Sequence, residues 1–231
     1  MNPQALLDGL TSGSPAMPSL ASPEDVDLPV VSVVVLTTTA DVATCRVERA
    51  DGTTVEALLP VSEFYPDKQF SPGHHYIGQL VESAGRPMLS VIRPSLVTAL
   101  LAGFAPEVRS GAVRVMGCIR LAGVRSKIAV AATEEGLDPI AACVGREANR
   151  VRALTTALQG ERIDIVAWHP SPDVYLRNAL APAEVDRVDI NGRDAVAYAP
   201  PHQMAAAVGH GGLNSSLAGR LVGVKVRVEQ A

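Results

Sequence analysis

The stretch QMAAAVGHGGLNSSLAGRLVGVKVRV, residues 203–228, decides how the chain is read. Two short apolar segments with helical spacing flank the loop Gly209-His210-Gly211-Gly212, and an alternating apolar run, Val224 to Val228, follows. A glycine inside a helix costs about 1 kcal/mol relative to alanine, so three in four positions end one helix before the next begins. The first glycine of such a loop accepts positive φ without a Cβ penalty. The second helix then starts at once. It turns free N–H groups and the positive end of its dipole toward whatever lies at the loop.

A quieter copy stands 64 residues earlier, in AACVGREANRVRALTTALQ, where the loop reads Gly145-Arg146-Glu147-Ala148. Residues 112–168 around it read strand, strand, helix, helix, strand. The strands are AVRVMGCIRL, SKIAVAAT and RIDIVAW, and the helices run over about 139–144 and 149–158. Val151, Leu154 and Leu158 share one face of the second helix. Residues 173–228 repeat that order, preceded by a helix over PDVYLRNALAPAE at 172–184. Their first two strands form a hairpin turned at Asn191-Gly192, a strong short-range hairpin signal. A helix–loop–helix–strand spacing kept to within one residue predicts an internal repeat of one small α/β unit.

Residues 28–92 follow a shorter period. VVSVVVLTTT, ATCRVERA, VEALLPVS, HHYIGQLVE and PMLSVIR are β-branched-rich, with turn signals between them at 50–52, 71–73 and 85–87. Five such strands suit a small barrel of the OB type. RPSLVTALLAGFAPEVRSG then reads as a connecting helix, with Pro94 in its first turn. Residues 1–27 are rich in Ser, Pro and Gly and hold four acids and no base, which predicts a disordered acidic tail with ALLDGL as a short helical piece.

Composition narrows the function. Of 231 residues 47% are apolar but only 3% aromatic, so the core is built from Val, Ala, Leu and Ile. Cys45, Cys118 and Cys143 have neither metal spacing nor an even count, and read as small buried hydrophobes in a reducing cytoplasm. No apolar run approaches the 18 to 20 or so residues of a membrane span. The first basic residue is Arg46, so the start is not a secretory signal. Net charge is −4, and only 112–168 is positive, with eight bases against six acids. Bulk charge therefore does not attract nucleic acid here, and anion binding must come from placed groups and backbone dipoles. No Ser/His/Asp or Cys/His arrangement and no cofactor loop emerges, so neither catalysis nor a cofactor is expected. His74-His75 lacks further ligands in metal spacing and reads as a loop pair.

A Gly-X-X-Gly between two short helices, followed by a strand, is how a KH module clamps about four nucleotides. The last glycine lets a phosphate backbone approach without meeting a Cβ. No strand precedes the glycines, as a dinucleotide loop would need, and no Gly-Lys-Ser/Thr follows. At this point the chain resembles a known family. VRSKIAVAATEEGLDPIAACVGREANRV, QGERIDIV, NALAPAEV and HQMAAAVGHGGLN with LAGRLVG are similar to the paired KH region of the NusA transcription factors. EALLPVSEF through PMLSVIRPSLV resembles the OB barrel, of the ribosomal-protein-S-one type, that precedes it.

The resemblance implies a multidomain α/β plus all-β chain. A tail at 1–27 precedes an OB-fold barrel at 28–93, a connecting helix at 94–111 and two tandem type II KH domains at 112–168 and 169–231. It implies a cytoplasmic bacterial monomer that contacts nascent single-stranded RNA near RNA polymerase and modulates pausing, termination or antitermination. Members usually carry a large N-terminal polymerase-anchoring domain, whose place the tail takes here. They usually have Lys where this chain has His210, and an Arg in the next helix where it has Ser215-Ser216. Ala148 adds a methyl, and Glu147 a repelling charge, to the first loop. The alternative is a scaffold that docks on polymerase or another transcription factor with RNA binding weakened or lost.

Carried over, the second RNA loop is Gly209, His210, Gly211 and Gly212, with Asn214 behind it, and the first opens with Gly145 and Arg146. Arg150 and Arg152 either pair with phosphates or form a solvated face. Arg125 and Lys127 flank a strand start and are further candidates. Lys225 and Arg227 share a face of the last strand and read as a solvated rim. Phe64, Tyr65, Phe70 and Tyr76 pack in the barrel core or stack on bases. Trp168 is expected to wedge the two KH units together.

Overall fold

The computed structural model describes residues 28–65, 70–83 and 85–231; the expected tail and its ALLDGL helix lie outside the described residues. Strands β1 (Val30–Thr38), β2 (Val42–Glu48), β3 (Thr54–Pro60), β4 (His75–Ser83) and β5 (Arg86–Ser90) close a barrel in the order β1-β2-β3-β5-β4. All its ladders are antiparallel except the short β3–β5 contact, where Leu58 pairs Met88. The period of two is explicit in β1: Val31, Val33 and Val35 are buried while Val30 and Ser32 are exposed. The barrel's rings pack on one another. Phe70 stacks on Tyr76 at 4.3 Å and on Phe64 at 4.5 Å, and Tyr65, Phe70 and Tyr76 are buried.

Helix α1 (Pro94–Phe104) starts with Pro94 at its first turn and buries Leu96, Val97, Leu100 and Leu101. Those residues join one core with Val113, Ile128, Cys143, Leu154 and Leu158, so α1 is a wall of the first α/β unit as well as a connection. A short α2 (Pro106–Arg109) follows. The unit continues through β6 (Val113–Leu121), β7 (Arg125–Ala132), α3 (Pro139–Val144), α4 (Asn149–Ala157) and β8 (Arg162–Ala167), with sheet order β6-β7-β8. Asp138 caps α3 by accepting from Ile140 N at 2.9 Å and Ala141 N at 3.1 Å.

The second unit repeats this: α5 (Pro172–Ala179), β9 (Arg187–Asn191), β10 (Asp194–Ala199), α6 (Met204–Val208), α7 (Leu213–Val222) and β11 (Lys225–Gln230). In both units the last strand pairs parallel to the second strand, β8 on β7 and β11 on β10. Helix α5 ends at Ala179, short of the expected 184, because Pro182 disfavours helical backbone at the residue before it.

A third core joins the units. Ala129 and Val166 of the first sheet pack with Tyr175, Leu176, Leu180 and Ala218 of the second unit, and Met116 and Trp168 lie against them. Strand β7 is therefore covered on both faces, which is why residues 125–130 are all buried and read as a run rather than an alternation. The barrel is tied to the first unit by Arg120, which is held within that unit by a buried ion pair. Arg120 Nη2 lies 2.9 Å from Glu161 Oε2, and Arg120 Nη1 donates to Val91 O at 2.8 Å and Arg93 O at 2.9 Å. The three cysteines are buried and free, and burial pushes the thiols of Cys45 and Cys143 up to about 11 and that of Cys118 up to about 12. No helix among the described residues is long and apolar enough to cross a membrane.

Candidate nucleic-acid interface

The two Gly-X-X-Gly positions have one backbone shape. Gly145 has φ 74°, ψ 170°, and Gly209 has φ 76°, ψ 168°. Glu147 (52°, 31°) matches Gly211 (57°, 24°), and Ala148 (58°, 27°) matches Gly212 (78°, 10°). The first loop thus keeps its form although non-glycine residues hold left-handed backbone there, at a cost of roughly 1–2 kcal/mol each. Ala148→Gly is expected to raise stability by about 0.5–1 kcal/mol, after allowing for the greater freedom glycine has in the unfolded chain. A urea-midpoint comparison checks this, and a lower midpoint in the variant contradicts it.

The glycines of the second loop serve different ends. A Cβ on Gly209 would stand 2.7 Å from Asn214 Cβ and N, so this glycine lets α6 pack against the start of α7. A Cβ on Gly212 would meet nothing within 4 Å. Its bareness keeps open the space in front of the loop. His210 and Gly211 are exposed beside it.

Several candidate residues are bonded within the fold. Asn214 is fully buried; its amide donates to Leu180 O at 2.8 Å and to Ala206 O and Ala207 O at 3.2 Å, which pins α5, α6 and α7 together behind the loop. Arg150 is its counterpart in the first unit. It donates to Ala142 O and is ion-paired with Glu107 at 2.5 Å, so it too ties back the preceding helix. Arg125 and Lys127 are buried on Asp164, at 2.6 and 2.9 Å from Oδ2, and Lys127 also donates to Ala181 O of the second unit at 3.1 Å. Burial is the main cause that pulls the Lys127 ammonium down to about 8, against the opposing pull of Asp164. These side chains are committed to folding because the parallel β7–β8 register sets Lys127 beside Asp164.

Arg146 and Arg152 remain exposed at the first loop, as does Glu147. Lys225 and Arg227 are exposed on β11, with Arg227 Nε 2.9 Å from Glu229. His74 and His75 are exposed, and no group of metal-ligating side chains forms among the described residues. Glu161, Arg162 and Asp164 were not singled out in the sequence. The signal was present in two charged pairs at i, i+2, Arg125/Lys127 and Arg162/Asp164, in strands that pair in register. Beside the second loop lies a cleft of about 380 Å³ whose lining includes Gly209, His210 and Leu213 from one unit and Val124, Arg125 and Arg162 from the other.

Comparison with known proteins agrees with this geometry. The NusA-like first KH domain family matches residues 92–168, and the NusA-like second KH domain family matches 172–231. The transcription termination/antitermination protein NusA of Halalkalibacterium halodurans is 36% identical over 182 residues, 76% of this chain and 48% of that protein. NusA of Bacillus subtilis is 35% identical over 182 residues, 76% of this chain and 49% of its own length. NusA of Thermus thermophilus is 35% identical over 183 residues, covering 76% and 47%. The chain spans about half the length of these curated relatives. With an OB-like barrel leading into two KH domains of matching type and order, the chain belongs to the NusA-like family.

Proposed function

We propose that this chain binds single-stranded RNA through its KH pair and, as the names of its relatives suggest, modulates transcription termination or antitermination in the bacterial cytoplasm. The observation that carries the reading is the shared backbone of the two loops, with open space in front of Gly212. In this reading Gly209 to Gly212 and Gly145 to Ala148 meet the RNA backbone, with His210, Arg146 and Arg152 as the side chains nearest to it. RNA polymerase is the partner reached along with the transcript. The chain acts by binding, without catalysis.

Phosphate contacts release counterions, so affinity falls with salt at a log–log slope near −0.7 per contact on a single strand. Titrating the chain with single-stranded RNA across salt concentrations should show that slope. Gly211→Asp should lower low-salt affinity at least about tenfold. Aspartate tolerates the left-handed backbone at 211, so the loop keeps its shape while gaining a repelling charge. Absence of binding by the unaltered chain at low salt, or no change in Gly211→Asp, removes this reading. Polymerase captured from the host only when RNA is intact would show tethering through RNA; capture that survives ribonuclease would show direct docking.

A further inference from the structure

The sheet of the second unit ends in an open edge. Its strand order is β11-β10-β9, so among the described residues no strand pairs with the outer side of β11. Lys225 N donates to Arg193 O at 2.7 Å and Ala231 N to Ala199 O at 3.0 Å, so the odd-numbered residues of β11 bond inward to β10. Alternation turns the N–H and C=O groups of Val226, Val228 and Gln230 to the open side. Such a row of backbone groups is a template for a further strand. Side-chain coverage stops at the same place. Ala195, Ala197 and Ala199 of β10 are at most 2% exposed, while Val226 and Val228, on the same face of the sheet, are only half-buried. On the other face Arg227 and Glu229 flank Val228, ion-paired at 2.9 Å with side chains 73% and 41% exposed.

The geometry points to an interface for a second copy of this chain, in which β11 pairs antiparallel with β11 of that copy about a twofold axis at Val228. The charge pattern of the strand selects this occupant. Antiparallel pairing about Val228 exchanges the positions before and after it. Arg227 of each copy then lies directly opposite Glu229 of the other, and two opposite-charge pairs form. Parallel pairing in register would set arginine beside arginine, and like charges directly opposite are destabilising. The backbone has the same register. Val228 faces the open side, so its two copies make a hydrogen-bonded pair, and Val226 exchanges bonds with Gln230 of the other copy. Arg227 and Glu229 fall at the non-hydrogen-bonded positions, where facing side chains are closest. Strand β9, at the opposite edge, has the same spacing in Arg187 and Asp189, but the Arg187 guanidinium lies 4.3 Å over the Tyr198 ring of β10, drawn in from its edge. A surface that matches itself closes at two copies. The interface departs from the monomer that the family resemblance implies, and it does not depend on RNA binding.

The test is sedimentation velocity on the full chain, nuclease-treated so that RNA bridges nothing, from about 1 to about 100 µM at low salt, a range that brackets a micromolar dissociation constant. The unaltered chain of 24.1 kDa should shift toward twice that mass as concentration rises. Arg227→Glu and Glu229→Arg should each raise the dissociation constant at least about tenfold, because each sets two like-charge pairs across the axis. The double variant, Arg227→Glu with Glu229→Arg, restores both opposite-charge pairs and should dimerise like the unaltered chain. Arg187→Glu, at the other edge of the sheet, should leave dimerisation unchanged. Both β11 side chains are solvent-exposed in part, so unchanged thermal unfolding of the single variants accompanies the expected result. A chain that stays monomeric throughout the range overturns the interface. So does a dimer that the single variants leave intact, or a double variant that stays monomeric.

Discussion

Glu161→Ala is expected to cost about 3–5 kcal/mol of stability, the range for removing one partner of a buried ion pair. Both side chains of the Arg120–Glu161 pair are fully buried. Glu161 Oε2 accepts from Arg120 and from Gly123 N at 2.8 Å, and Oε1 accepts from Ser126 Oγ at 2.6 Å. Without the carboxylate, Arg120 stays buried with its charge uncompensated, and a hydroxyl and a backbone N–H lose their acceptor. The damage is not confined to one unit. Arg120 also holds Val91 O and Arg93 O at the end of the barrel, and its guanidinium lies 6.0 Å from the Tyr65 ring. Chemical denaturation should therefore show a lower midpoint and a separation of barrel unfolding from KH unfolding. Replacing both residues with apolar ones should recover part of the loss, because no charge is then stranded. A Glu161→Ala midpoint equal to that of the unaltered chain would falsify the assignment of this carboxylate as the support that holds Arg120 in place.

Gly209→Ala is expected to cost about 3 kcal/mol or more and to remove RNA binding by the second loop. Two effects add. At φ 76° and ψ 168° the backbone is in a region open to glycine almost alone, worth roughly 1–3 kcal/mol. The new methyl also enters the space held by Asn214, an overpacking cost of about 1–3 kcal/mol. Gly212→Ala is the informative contrast. Its φ of 78° costs about 1–2 kcal/mol, but the methyl points into open space. The second unit should fold in Gly212→Ala and bind RNA less well if, as proposed, a phosphate approaches the open space that the methyl would fill. Equal stability losses in the two variants would show that the division between a packing glycine and an approach glycine is wrong.

Much of the architecture was legible in sequence because it is local. Valines at every second position announced β1, and three glycines in four announced the break between α6 and α7. The 64-residue repeat was legible for the same reason, since equivalent loops need equivalent backbones. It even held where the glycines were lost, at Glu147 and Ala148. The end of α5 was misjudged because helical spacing continued through Leu180 while Pro182 acted from beyond it.

The candidate site was legible in its backbone and not in its charges. Which arginines are free is a question of long-range register. Lys127 meets Asp164 across 37 positions and Arg120 meets Glu161 across 41, and no local period encodes such pairings. Arg125, Lys127 and Asn214, carried over as RNA contacts, and Arg150, left between phosphate pairing and a solvated face, are bonded within the fold, while Arg162, passed over in sequence, stands exposed on the cleft. The sequence by itself determined the barrel, the duplicated KH units and the shape of their loops, because strand alternation and glycine backbone freedom act within a few residues. Only the tertiary structure decided which cations are spent on holding the units together and which remain for a ligand, because burial and ion pairing arise from strands brought together across the chain.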